Sequence, residues 1–88
     1  MVDVALPAQR VPPEDAVMTQ WVIYEKPSDY PDGYVLRAAF IMKGNQVMID
    51  NVAWYAADPD ELRAIMPTGF VRLARMEQDD PVILETWI

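Results

Sequence analysis

Between Gln20 and Ile88 the apolar positions recur with a period of two in all but one stretch, which argues for strands. Gln20–Glu25 is dense in aromatic and β-branched side chains and predicts the first strand. Val22 and Tyr24 fall on one side of it, Trp21 and Ile23 on the other. Both faces are apolar, as in a central strand or a covered edge. Tyr34–Lys43 predicts the second strand. Leu36, Ala38, Phe40 and Met42 make one unbroken apolar face, with Val35, Arg37, Ala39, Ile41 and Lys43 opposite. Gly44-Asn45 is a hairpin signal and makes Gln46–Ala56 an antiparallel third strand. There Val47 and Ile49 share one parity while Val52 and Trp54 share the other. A bulge near Asp50-Asn51 would bring all four to a single buried face. Phe70–Met76 and Val82–Ile88 predict the last two strands. In the final one Val82, Leu84 and Ile88 alternate with Ile83, Glu85 and Trp87.

The exception is Asp58–Gly69, where both a helix start and a helix stop are written. Asp58 suits the N-cap, Pro59 the first helical position, and Glu61 the third position of a capping box. Leu62, Ile65 and Met66 recur at i, i+3, i+4 and form one narrow apolar stripe. Pro67 cannot continue the helix, and Gly69 suits a left-handed exit. The helix is about eight residues, or roughly 12 Å. At that length it depends on packing against the sheet. The element order β-β-β-α-β-β predicts an α+β fold, a small antiparallel sheet of four to five strands with one short helix on one face. Residues 1–17 carry Pro7, Pro12 and Pro13 with no periodicity, and read as a flexible N-terminal tail before a single domain over 18–88. Met18 is the expected domain start.

Composition narrows the chemistry. The 88 residues hold no cysteine and no histidine, so neither a thiolate nor a Ser-His nucleophile is available, and the commonest zinc ligands are missing. Ser28 has no histidine to activate it. The three glycines are isolated, so no phosphate-cradling loop is present. We expect no catalytic residues, no metal and no cofactor. A net charge of −7 argues against direct nucleic-acid binding and against anionic membranes. No apolar run reaches the eighteen or so residues of a membrane span and no signal peptide is evident, so the expected location is cytoplasmic.

Acidic clusters are read first as ordinary turn chemistry. Lys26–Gly33, with two prolines, two aspartates and a glycine, is a long loop ending in a Pro-Asp-Gly turn. Its Asp29 and Asp32 have the spacing of paired carboxylates, but aspartate is favoured in turns by bonding its own backbone. Glu77, Asp79 and Asp80 do not match a calcium loop and read as a solvated turn before Pro81. Arg37, Lys43, Arg63, Arg72 and Arg75 read as partners for these acids and as cover for sheet surface.

The sharper signal is aromatic. Three tryptophans and four tyrosines form a large amphipathic set for so short a chain. One short helix cannot cover two apolar sheet faces. If it covers the Val22–Tyr24 side, then Trp21, Ile23, Ile83 and Trp87 face outward, as an interface for a second copy or another protein, or as a second small core. A second contact surface is expected at Asp29, Tyr30, Asp32 and Tyr34, since long loops carry function. The expected function is therefore a non-catalytic protein-interaction module, homodimeric through an exposed aromatic sheet face. The alternatives are a small-ligand-binding module, with tyrosines and Arg37 around a pocket at the sheet–loop junction, and an acidic inhibitor of a nucleic-acid-handling protein.

The segments Trp21–Pro31 and Asp79–Ile88 resemble a group of short bacterial proteins without an assigned activity. Leu62-Arg63, Pro67-Thr68-Gly69 and Val71-Arg72-Leu73 are similar to it as well. The resemblance spans residues 18–88, implies a domain start at Met18, and implies nothing about chemistry.

Overall fold

The strands assemble into one antiparallel sheet in the order β3-β2-β1-β5-β4. They are β1 (Ala16–Glu25), β2 (Tyr34–Met42), β3 (Gln46–Ala56), β4 (Arg72–Ala74) and β5 (Ile83–Trp87), with the helix α1 (Pro59–Ile65) between β3 and β4. This computed structural model describes residues 6–75 and 81–88. The acidic turn expected over 77–81, all but its last residue, and the first five residues lie outside that range.

Each hairpin follows from local chemistry. Gly44 and Asn45 both take positive φ, 83° and 63°, where glycine and asparagine carry the least steric cost, and they turn β2 into β3. The helix begins on Asp58, whose carboxylate accepts the Asp60 amide at 2.8 Å, with Pro59 at the first helical position. It ends at Met66, and Gly69 turns the chain at φ 92°.

Because β3 and β4 are opposite edges of the sheet, the segment joining them must cross its full width. Four strand spacings are roughly 19 Å, which a seven-residue helix of about 10 Å does not span alone. The crossing is completed by Met66 and Phe70, which pack against the same cluster as Leu62 and Ile65. The face beneath is the core: Trp21, Ile23, Leu36, Ala38, Phe40 and Trp54 with Leu62, flanked by Tyr34, Met42, Val52, Leu84 and Trp87. Trp21 and Trp54 meet edge to face at 5.8 Å. Burying Leu62 contributes on the order of 2 kcal/mol.

Two expectations are corrected. First, the boundary at Met18 falls inside β1, which starts at Ala16, and residues 6–15 belong to the fold. Pro7 is buried in a short 3-10 turn (Pro7–Gln9), and Arg10 clamps Asp50 through two hydrogen bonds of 2.9 and 2.7 Å. A segment without periodicity is held here by one ion pair and a buried proline, features that no periodic pattern registers. Second, the β3 irregularity does not unite its apolar residues on one face. The two steps from Arg37 to Ala39 on β2 span four steps, from Ala53 to Ile49, on β3. An insertion of two leaves side-chain parity unchanged, whereas one extra residue would have reversed it. Trp54 and Val52 therefore face the core, while Val47 and Ile49 face away. Asp50 sits at the irregularity and accepts the Val52 amide at 3.3 Å.

Candidate functional site

The side of the sheet expected to face outward is the inner one. Trp21 is 3% exposed and Ile23 fully buried, and Trp87, paired with Trp21 across β1 and β5, packs on the same core. Ile83 does not join them. A register shift in β5 sets it opposite Tyr24, on the other face. The shared outward face of Trp21, Ile23, Ile83 and Trp87 is thus corrected. Both faces of β1 are apolar, so its pattern cannot say which face the crossover covers, and the connection from edge to edge decides it.

A charged network is built around Glu85 on the inner face. Glu85, 1% exposed, accepts Arg63 Nε at 3.1 Å and Nη2 at 2.6 Å, and Trp87 Nε1 at 2.6 Å, with Arg72 Nε 3.4 Å away. Arg63 also donates to Asp60 at 2.7 Å. Burial pushes the Glu85 carboxyl up, but the hydrogen bonds from Arg63 and Trp87 and the two guanidinium charges outweigh it, and the group sits below its ordinary value. The Glu85 hydrogen bond, then that of Asp60, holds the Arg63 guanidinium above its ordinary value. Burial likewise raises Asp50, and its bonds from Arg10 and the Val52 amide bring it below the usual range. Both networks fasten the crossover and the N-terminal segment to the sheet. Glu85 is held by Arg63 and Trp87 and is shut off from solvent, so the network has a structural role.

The outer face has a different character. Among the described residues no helix or strand lies over it. Its central positions, Val22, Val35 and Ala39, are buried. At the β3 edge the apolar side chains stay open: Val47 is 58%, Ile49 46% and Tyr55 51% exposed. Met18 and Leu73 add further exposed apolar surface on the same face, and Val71 and Ile88, hydrogen-bonded to each other, extend it at the β4 edge.

The Lys26–Gly33 loop closes one end of this face. Lys26 N–H donates to Gly33 O at 2.8 Å and Tyr30 N–H to Pro27 O at 2.9 Å, so the ends meet as in a compact Ω-type loop. Tyr30 stacks edge to face on Tyr55, 5.0 Å between rings. Gly33 has no room for a side chain: a Cβ there would meet the Tyr30 ring and come within 2.6 Å of Ala56 O. Of the four loop residues expected to share a contact surface, Asp29 and Tyr30 lie against this face. Asp32 is exposed on the loop, and Tyr34 points into the core. Asp29 faces Arg37, Oδ2 to Nη2 at 3.7 Å, beside a cleft of about 190 Å³ lined by Tyr24, Pro27, Val35 and Val82. This is the sheet–loop junction at which the ligand-binding alternative expects tyrosines and Arg37.

Two residues were missed as structural hubs, Glu85 and Arg10. A lone carboxylate inside the apolar run Val82–Ile88 was the available signal for Glu85, since a charge on a buried strand face demands a partner. Among the described residues no group of three or more acidic side chains is placed to hold a metal ion, and no helix is long and apolar enough to cross a membrane. No protein-family profile matches the chain, and none of the curated proteins or solved structures compared with it matches either.

Proposed function

We propose that the domain is a non-catalytic protein-interaction module that pairs with a second copy of itself through the outer sheet face, centred on the β3 edge. The observation that carries this is the exposure of Val47 and Ile49, adjacent on the outer face of an edge strand that no described helix or strand covers, with the half-exposed Tyr55 farther along the same face. An antiparallel sheet with one face in water ordinarily places polar residues there. This one presents valine, isoleucine, alanine and tyrosine instead. Contiguous exposed apolar surface marks an interaction site, and an open edge offers unpaired backbone groups to a second strand. A second copy brings the same edge and the same face, which suits the isologous contact of a two-fold dimer. The lack of catalytic histidine or cysteine is in keeping with this role. So is a cytoplasmic location, where a chain without cysteine forgoes no disulfide.

Concentration-dependent amide shifts test the reading. Diluting the protein over about two decades should move resonances of residues 46–49, 53 and 55, and leave those of Leu62 and Trp21 in place. Shifts confined to the inner-face residues would contradict it.

A further inference from the structure

Arg37 stands mid-strand in β2 on the outer face, between Val22 on one neighbour and Ala53 on the other. Arg10 and Arg63 each make two or more hydrogen bonds to carboxylates. Arg37 does not. Its Nε is buried without a hydrogen-bond partner, and its Nη2 reaches Asp29 only at 3.7 Å, beyond hydrogen-bonding distance. A buried donor on a cation is costly to leave unpaired, and such a group calls for an acceptor. Arg37 also lines a cleft that an acceptor can enter. The cleft beside Arg37 holds about 190 Å³, which at about 30 Å³ per water is room for roughly six water molecules. Its walls are divided: Arg37 and Asp29 supply opposite charges, and Pro27, Val35 and Val82 supply apolar surface.

An anion alone fits this pair poorly. It would approach Asp29 as well as Arg37, on a chain of net charge −7. A compact zwitterion meets both. We propose that the cleft binds a small aliphatic α-amino acid, with its carboxylate on the Arg37 guanidinium, its ammonium on Asp29, and its side chain against Pro27, Val35 and Val82. The guanidinium fork suits a planar carboxylate. The site lies under the Lys26–Gly33 loop and does not depend on the self-pairing proposed above. It is therefore tested both on the native chain and on an Ile49→Glu variant.

The test is a titration followed by 15N-resolved NMR, with L-valine as the probe. The Arg37 Nε–Hε resonance and the amides of Asp29 and Val35 should move saturably, with a Kd on the order of 1 mM. Isovalerate lacks the ammonium and isobutylamine lacks the carboxylate, and each should bind at least about tenfold more weakly. Asp29→Asn lies on an exposed loop residue, and Arg37→Lys keeps the charge but not the fork. Both variants should lose the valine response by a similar factor. If Arg37→Lys disturbs the fold, Asp29→Asn carries the comparison. No movement at about 20 mM valine would overturn the proposal, since that is well above the expected Kd, and would leave Nε to an ordered water. Isovalerate binding as tightly as valine would overturn it too.

Discussion

At the scale of single residues, two carboxylates decide how the covering segments are held. Glu85 is buried beneath Arg63, and Asp50 beneath Arg10. Arg63→Ala would leave Glu85 with only Arg72, at 3.4 Å, and the Trp87 indole. Removing one partner of a buried pair is costly, and we expect a loss of about 3 kcal/mol, read by urea denaturation at neutral pH. The double variant Arg63→Ala with Glu85→Gln should recover part of that loss. Both carboxyls also sit below their ordinary values in the fold. A depressed carboxyl binds its proton less readily folded than unfolded, so the unfolded state gains protons first as pH falls. The stability these groups provide is complete above their unfolded values near pH 4 and is lost as pH drops through the lower folded values. A pH series of urea midpoints should therefore be flat from about pH 7 to 5 and fall below about pH 4. A midpoint that rises on acidification would contradict the two networks. None of this was visible as chemistry in the sequence. Glu85 was one acid within an apolar strand, and its partners come from 13 and 22 residues away.

At the scale of elements, local signals were legible and long-range ones were not. The helix start at Asp58-Pro59 and the Gly44-Asn45 turn were readable because cap and turn geometry are set within a few residues. So was the extent of β3, Gln46–Ala56. Its irregularity was anticipated at the right place, but the number of inserted residues depends on pairing with β2, which one strand does not reveal. The side of the sheet that α1 covers was equally hidden, because β1 is apolar on both faces. The N-terminal segment was the larger omission. Its hold on the sheet runs through Arg10 and Asp50, forty residues apart. Deleting residues 1–15 should cost about 2 kcal/mol, discounted because Arg10 is partly exposed, by orphaning Asp50 at the irregularity. Adding Asp50→Asn to the truncated chain should return some of it. A truncated protein with an unchanged melting temperature would mean that the segment is not part of the folded unit.

For the whole molecule, the two sheet faces divide the labour. The inner face is covered by the helix and the crossover, and its three tryptophans are committed to the core, while Met48 stays exposed at its β3 edge. Among the described residues the outer face is closed at the loop end, by Tyr30 on Tyr55, and stays apolar and exposed toward the β3 edge. Aromatic density in the sequence pointed to an interface, but it marked the core instead. The exposed candidates are the less conspicuous Val47 and Ile49, whose alternation looked like that of any half-buried strand. Sedimentation equilibrium across a concentration series, on the native chain and on Ile49→Glu, tests the assignment most directly. The native chain should approach twice its 10.1 kDa mass as concentration rises, and Ile49→Glu should remain near 10.1 kDa with an unchanged melting temperature. A native chain that stays at 10.1 kDa at millimolar concentration, or a dimer that Ile49→Glu leaves intact, would contradict it.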